Sequence, residues 1–320
     1  MHDNLLYSMG STLNHLMERW GQGHTEQLGS DEAMAWCRKL TLGHYENFSV
    51  LSRFVPDRMR DGICAVYAFS RWADDLADEA ASPTEAIDQL GWWRSELDDC
   101  FAGRTRHPIF VALSTVLETQ ALDRVNFDRL IDAFEQDQRQ NRYATWDDVL
   151  AYCAGSADPV GRLVLQLSGE AMSDEQLAAS DSVCSGLQLT NHWQDVHRDM
   201  LERNRIYIPG DMATADDFNE RLATTVKQGF APDLEFLSSY RQVVSSLIAR
   251  TRPMLLKMSG LMESVTPDIR PMLWLFSAGG LSILDAIERS DCETVLFRVS
   301  LSKPQKLWML WQASRKGRST

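Results

Sequence analysis

The sequence has no cysteine pair spaced C-x-x-C, no glycine-rich phosphate loop, no apolar run of membrane-spanning length and no excess of basic residues. Each absence removes a class of protein. Cys37, Cys64, Cys100, Cys153, Cys184 and Cys292 are scattered, and no secretory signal opens the chain. They read as buried, reduced thiols of a cytoplasmic protein, not as a disulfide framework. Neither G-x-G-x-x-G nor G-x-x-x-x-G-K-[ST] occurs, so no nucleotide cofactor is expected. The apolar window 271–287 is broken by Gly279-Gly280 and carries Asp285, unlike the run of about 20 apolar residues that spans a bilayer. A net charge of −13 argues against nucleic-acid partners. That charge is uneven: residues 301–320 hold Lys303, Lys306, Arg315, Lys316 and Arg318 and no acid. Sustained apolar/polar alternation, the mark of half-buried strands, is also missing.

What remains is helical periodicity. The ten prolines mostly stand where one helical pattern yields to the next. Ser82-Pro83-Thr84-Glu85 starts a helix with a capping residue and a proline in its first turn, and Ser173-Asp174-Glu175 caps a long segment. The pattern predicts helices near 31–54, 57–80, 84–103, 107–119, 125–142, 146–168, 174–203, 218–228, 232–262, 267–289 and 304–315, with loop or short helices over 204–222. The fold class is all-α, one helical domain over 31–300 around a central cavity. A polar extension, 1–30, is expected outside the core. A basic amphipathic tail, 301–320, follows. With Trp308 and Trp311 it fits either an ordinary last helix or peripheral contact with the inner face of a membrane.

The chemistry-bearing features are two aspartate pairs, Asp74/Asp78 and Asp195/Asp199. On continuous helices, at roughly 100° per residue, Tyr67, Arg71, Asp74 and Asp78 form one stripe, and Gln188, Asn191, Asp195 and Asp199 form another. Like charges at i, i+4 cost a helix a few tenths of a kcal/mol, so two such pairs around one cavity call for a cation between them. Hard carboxylate oxygens suit Mg²⁺, which takes one or two carboxylates plus substrate phosphates. The expected metal ligands are Asp74, Asp78, Asn191, Asp195 and Asp199, and the four aspartates are the catalytic set. Arg71 suits a charge-assisted contact with a diphosphate, while Tyr67 and Gln188 can orient the substrate. Asp75 lies about 80° off the first stripe and is expected at the surface or supporting the stripe indirectly. His192 and His197 are five apart, a poor zinc pair. Tyr152, Cys153 and Trp193 read as packing residues, and Gly279-Gly280 as close helix packing.

With Tyr67-x-x-x-Arg71 before the first pair and Gln188-x-x-Asn191 before the second, the sequence resembles the squalene/phytoene synthase family over roughly residues 40–290. Further segments are similar to its bacterial hydroxysqualene synthase branch, of hopanoid biosynthesis. They are His44-Tyr45-Glu46-Asn47-Phe48, Ser156-Ala157-Asp158-Pro159-Val160-Gly161-Arg162, Asn191-His192-Trp193-Gln194-Asp195, Arg205-Ile206-Tyr207-Ile208-Pro209 and Gly279-Gly280-Leu281. The resemblance implies an isoprenoid-synthase helical bundle, two or three Mg²⁺ ions with bound diphosphate, and substrate contacts from His44, Asn47, Arg205 and Tyr207. It implies an isoprenoid diphosphate substrate, presqualene diphosphate for this branch, converted to hydroxysqualene without a reductant. Neighbouring pathway enzymes are possible partners. Relatives that join two prenyl diphosphates commonly carry Arg where Gln194 stands and Ser-Lys-Ser where Tyr45-Glu46-Asn47 stands; both exchanges remove positive charge and imply one bound diphosphate. Two alternatives are head-to-head condensation to presqualene diphosphate, squalene or phytoene, and a non-catalytic homologue acting as an assembly protein.

Overall fold

The computed structural model describes residues 16–44, 52–213 and 215–316. Among these the chain is helical, with one isolated parallel bridge between Arg142 and Ile206 and no strand. Its helices are α1 (Ser30–His44), α2 (Asp57–Asp78), α3 (Pro83–Phe101), α4 (Pro108–Leu117), α5 (Arg124–Asp137), α6 (Trp146–Ser156) and α7 (Asp158–Leu167), followed by α8 (Asp174–Gln194), α9 (Val196–Arg203), α10 (Phe218–Gln228), α11 (Leu234–Leu256), α12 (Met258–Glu263), α13 (Arg270–Arg289) and α14 (Lys303–Lys316).

Local chemistry sets these boundaries. The Ser82 hydroxyl accepts from the Glu85 N–H at 3.2 Å to open α3. Thr145 with Asp148 and Ser173 with Gln176 form reciprocal capping boxes at α6 and α8, each cap contributing about 1 kcal/mol. Asn204 and Gly229 close α9 and α10 in the left-handed conformation. Three segments expected as single helices are each divided in two. The 146–168 stretch breaks at Ala157, 174–203 at Asp195, and 232–262 at Lys257. Pro253 lies inside α11 just before that last break, where its ring leaves a carbonyl without its ladder partner.

The described residues fall into two compact units. One gathers those of Met1–Ser52 with Asp57–Arg139 and Gln166–Gly169; the other gathers Arg53–Pro56, Gln140–Leu165 and Glu170–Thr320. In the first, Phe69 of α2 stacks on Trp93 of α3 at 5.7 Å between centroids and meets Phe127 of α5 edge-on at 5.0 Å. His107 is fully buried among these rings. Its Nδ1 accepts from the Ile109 N–H that opens α4, and burial holds its pKa well below the usual imidazole range. Trp20 is also fully buried, edge-on to Trp36 at 6.4 Å. The stretch expected outside the core therefore reaches into it: so large a ring finds water costly and α1 near.

In the second unit, α8 runs against α11 and α13. The Trp193 indole N–H donates to Thr251 Oγ1 at 2.9 Å. A β-carbon on Gly280 would stand 2.9 Å from Leu187 and 3.0 Å from Leu255, whereas one on Gly279 would meet nothing within 4 Å. Close packing thus explains the second glycine and not the first. Tyr152, Cys153 and Trp193 are buried, as a packing role requires. Five of the cysteines are buried and Cys184 partly so, none in a disulfide; burial pushes the Cys37 and Cys100 thiols up to about 12. Among the described residues no helix is long and apolar enough to cross a membrane.

Candidate active site

The apolar face of α2 fixes where its polar face points. Phe69, Trp72, Ala73 and Leu76 are essentially fully buried, which leaves Tyr67, Arg71, Asp74 and Asp78 half-buried along the other side. The sequence-derived stripe is therefore one physical face. Arg71 is its electrostatic centre. Its Nη1 donates to Asp74 Oδ2 at 3.1 Å and its Nη2 to Asp75 Oδ1. Asp75 is 7% exposed, which corrects the surface alternative and leaves the supporting one. At about 80° from the stripe it faces inward, and only the guanidinium makes its burial tolerable. Burial still pushes the Asp75 carboxyl up, partly offset by Arg71, and burial with the Asp75 charge pushes Glu79 up. Arg71 thus bridges a carboxylate on the polar face and one turned inward.

The second pair stands where α8 gives way to α9. Asp195 has φ −101° and ψ 13° and serves as the last cap of one helix and the first of the next. The break has an identifiable cause. The His197 N–H donates to Thr294 O at 3.2 Å, and His197 Nδ1 meets Val295 O at 2.9 Å. The Gln194 side-chain amide donates to Val299 O at 2.7 Å. A segment about a hundred residues later has drawn the His197 N–H out of the helix ladder and holds the two side chains beside it. Buried Thr294 is itself fixed by the Tyr240 hydroxyl at 2.8 Å. The pair is consequently not on one continuous helix, although the Asp199 N–H still donates to Asp195 O at 2.8 Å and keeps the two a turn apart.

Charge around this pair is unequal. Asp195 is buried and takes two guanidinium contacts, from Arg198 Nη2 at 2.7 Å and from Arg298 Nε. Asp199 is as deeply buried, yet its nearest cations, Arg198 and Arg203, stand at 3.7 and 4.0 Å. Burial pushes its carboxyl up to about 6, with Asp195 adding to the shift and the arginines offsetting it. Gln188 is half-buried and Asn191 exposed along the same side of α8. Arg205 sits beyond α9, its N–H donating to Asp199 O at 3.0 Å. Tyr207 is buried and stacks on His192 at 3.6 Å, with Tyr143 and Tyr152 at 5.6 and 5.5 Å. His192 is neutral there, burial and then Arg205 lowering it to about 3. The two histidines hold different partners, as their spacing requires. His44 closes α1, but its side chain, like all of Asn47, lies outside the described residues.

Arg298 was not legible in the sequence. It also donates to Gln194 Oε1 at 3.4 Å, so the exchange expected to strip positive charge from position 194 leaves a guanidinium at the same place, supplied from 104 residues away. Arg198, three residues after Asp195, could have been found by its spacing. Among the described residues no three His, Cys, Asp or Glu side chains form a metal-binding group; what fits Mg²⁺ is the donor chemistry, hard oxygens with one buried carboxylate short of cations.

The sequence profile described as squalene/phytoene synthase matches residues 42–305. The chain belongs to the squalene/phytoene synthase family. It is 42% identical over 171 residues to a hydroxysqualene synthase of Sinorhizobium fredii, covering 53% of this chain and 57% of that protein. It is 35% identical over 233 residues to a hydroxysqualene synthase of Zymomonas mobilis, covering 70% and 72%. The chain thus spans little more than half the length of the first of these relatives. Among solved structures, the squalene synthase HpnC of Alicyclobacillus acidocaldarius superposes with a TM-score of 0.72 at 37% identity, over 82% of this chain and 95% of that one. A dehydrosqualene synthase, at 22% identity and a TM-score of 0.77, shares the fold. The architecture is the all-α isoprenoid-synthase fold of these structures.

Proposed function

We propose that this protein ionises presqualene diphosphate and delivers hydroxysqualene and diphosphate. The carbon–oxygen bond breaks with its electron pair going to diphosphate, the cyclopropylcarbinyl cation rearranges, and water adds its oxygen while losing a proton. No hydride enters, so no reductant is needed. The observation that carries the reading is the second aspartate pair, a buried carboxylate held short of cations beside one already neutralised by arginine. Asp74, Asp78, Asp195 and Asp199, with Asn191, would hold Mg²⁺, which when bound neutralises diphosphate oxygens and makes a better leaving group. Arg71 is assigned to the diphosphate while also orienting Asp74, and Arg298 orients Asp195. Gln188, Tyr67 and Arg205, with His44 and Asn47, are assigned to substrate positioning, and the π-face of Tyr207 to the cation's surroundings. The hydroxysqualene synthases at 35–42% identity favour this product over head-to-head condensation.

The test is to incubate the protein and Mg²⁺ separately with presqualene, farnesyl and geranylgeranyl diphosphates and identify products by mass spectrometry. Hydroxysqualene from presqualene diphosphate alone is expected. Presqualene diphosphate or phytoene from the shorter substrates would replace the reading with condensation. A long hydrocarbon alcohol leaves water for lipid, so transfer of product to a bilayer belongs to the same proposal.

A further inference from the structure

The last helix is turned the wrong way round for a soluble protein. A surface helix ordinarily buries its apolar stripe and exposes its polar one. In α14 the only residue buried is Ala313, while Leu307, Trp308 and Trp311 are 66%, 57% and 55% exposed. At about 100° per residue these three fall within an arc of about 100°, with Lys303 on one flank and Arg315 within the arc. The opposite side rests on the protein: Met309 Sδ meets Ser282 Oγ of α13 at 3.6 Å, and Gln305 and Gln312 are half-buried. The Arg315 guanidinium lies over the Trp311 ring at 4.8 Å, so the exposed aromatic carries a cation above it.

We infer that the outward face of α14 docks on an anionic lipid bilayer. Indole rings settle at the level of lipid headgroups, with an apolar body towards the chains and a polar edge in water. Leu307 adds buried apolar area, and Lys303 and Arg315 on the same side supply attraction to acidic headgroups. Charge complementarity selects the occupant. Residues 301–320 carry +5 within a chain of net −13, so an acidic surface attracts this end and repels the rest. Two copies joined through this face would bring two such basic helices together, which repels. The inference stands on exposure and charge and is independent of the catalytic reading.

The full-length protein is sedimented with phosphatidylcholine vesicles, with and without phosphatidylglycerol. Binding is expected with the anionic vesicles only, falling steeply between low and high salt. Trp308→Ala with Trp311→Ala, and separately Lys303→Glu with Arg315→Glu, each lower the partition constant on the order of tenfold or more. These side chains are exposed, so circular dichroism should show the helical content unchanged. Failure to bind anionic vesicles, binding retained by the tryptophan variant, or a dimer in sedimentation velocity that the tryptophan variant abolishes would each overturn the inference. Turnover of presqualene diphosphate measured in detergent is unaffected by these variants, so their outcome and that of the product assay are read separately.

Discussion

Replacing Asp199 with Asn should make the metal-free protein more stable. Asp199 is buried, with its nearest guanidinium groups at 3.7 and 4.0 Å, and its carboxyl is raised from 3.8 to about 6. A carboxyl whose folded pKa lies above its unfolded value contributes stability while protonated. That contribution is complete below about pH 4 and is lost as pH rises through about 6. At pH 7 the folded protein carries an ionised group it would rather have protonated, at a cost of about 3 kcal/mol from a shift of roughly two units. Asn mimics the protonated acid, so the variant gains about 3 kcal/mol at pH 7, roughly half of that at pH 5 and only a small fraction of it at pH 4. For a chain of this size the gain at pH 7 raises the melting temperature by about 5 °C. Thermal unfolding in EDTA at the three pH values reads this directly. Addition of Mg²⁺ with inorganic diphosphate should then stabilise the native protein more than the variant. A variant less stable than native at pH 7, or a difference that does not shrink towards pH 4, would refute the electrostatic account of this site.

Asp74→Asn and Asp195→Asn should each lower turnover of presqualene diphosphate at least a hundredfold with the circular dichroism spectrum retained; near-native rates in either would remove the metal assignment. Arg298→Ala takes one of two cations from a buried carboxylate and should destabilise the protein on the order of 3 kcal/mol in denaturant melts, partly recovered with Mg²⁺ and diphosphate. Gln194→Arg would set a second guanidinium beside Arg298 and break the bond to Val299 O, so a loss of about 3 kcal/mol is expected by urea titration. Gly161→Ala places a β-carbon 2.4 Å from Cys184 Sγ and 2.8 Å from Ser180 Oγ, prising α7 from α8 at a cost of about 1–3 kcal/mol, checked by the same titration.

The sequence disclosed what local rules control. Caps at Ser82 and Ser173, the polar stripe of α2 and the helical class follow from spacing and short-range hydrogen bonds, and all three stand in the structure. It hid what distant segments impose. The division of α8 from α9 needs no unusual residue at Asp195; it comes from Thr294 and Val295 capturing the His197 N–H and ring. Arg298 escaped for the same reason, since nothing near position 195 announces a partner 103 residues on. For Asp75 the sequence left two placements open, because angular offset alone does not say whether a flank faces water or core. Trp20 was missed because a polar neighbourhood masked one large ring.

The bond from His197 to Thr294 sets an order of events during synthesis. Until residue 294 has left the ribosome, α8 has no reason to stop at Gln194, and Asp195 lacks both Arg298 and the bend that aims it. The emerging chain can complete the stripe on α2 early, but its second carboxylate pair is finished only after Arg298 has been made. Two motifs that look alike in the sequence therefore mature at different moments, one from its own helix and one from a partner made about a hundred residues later.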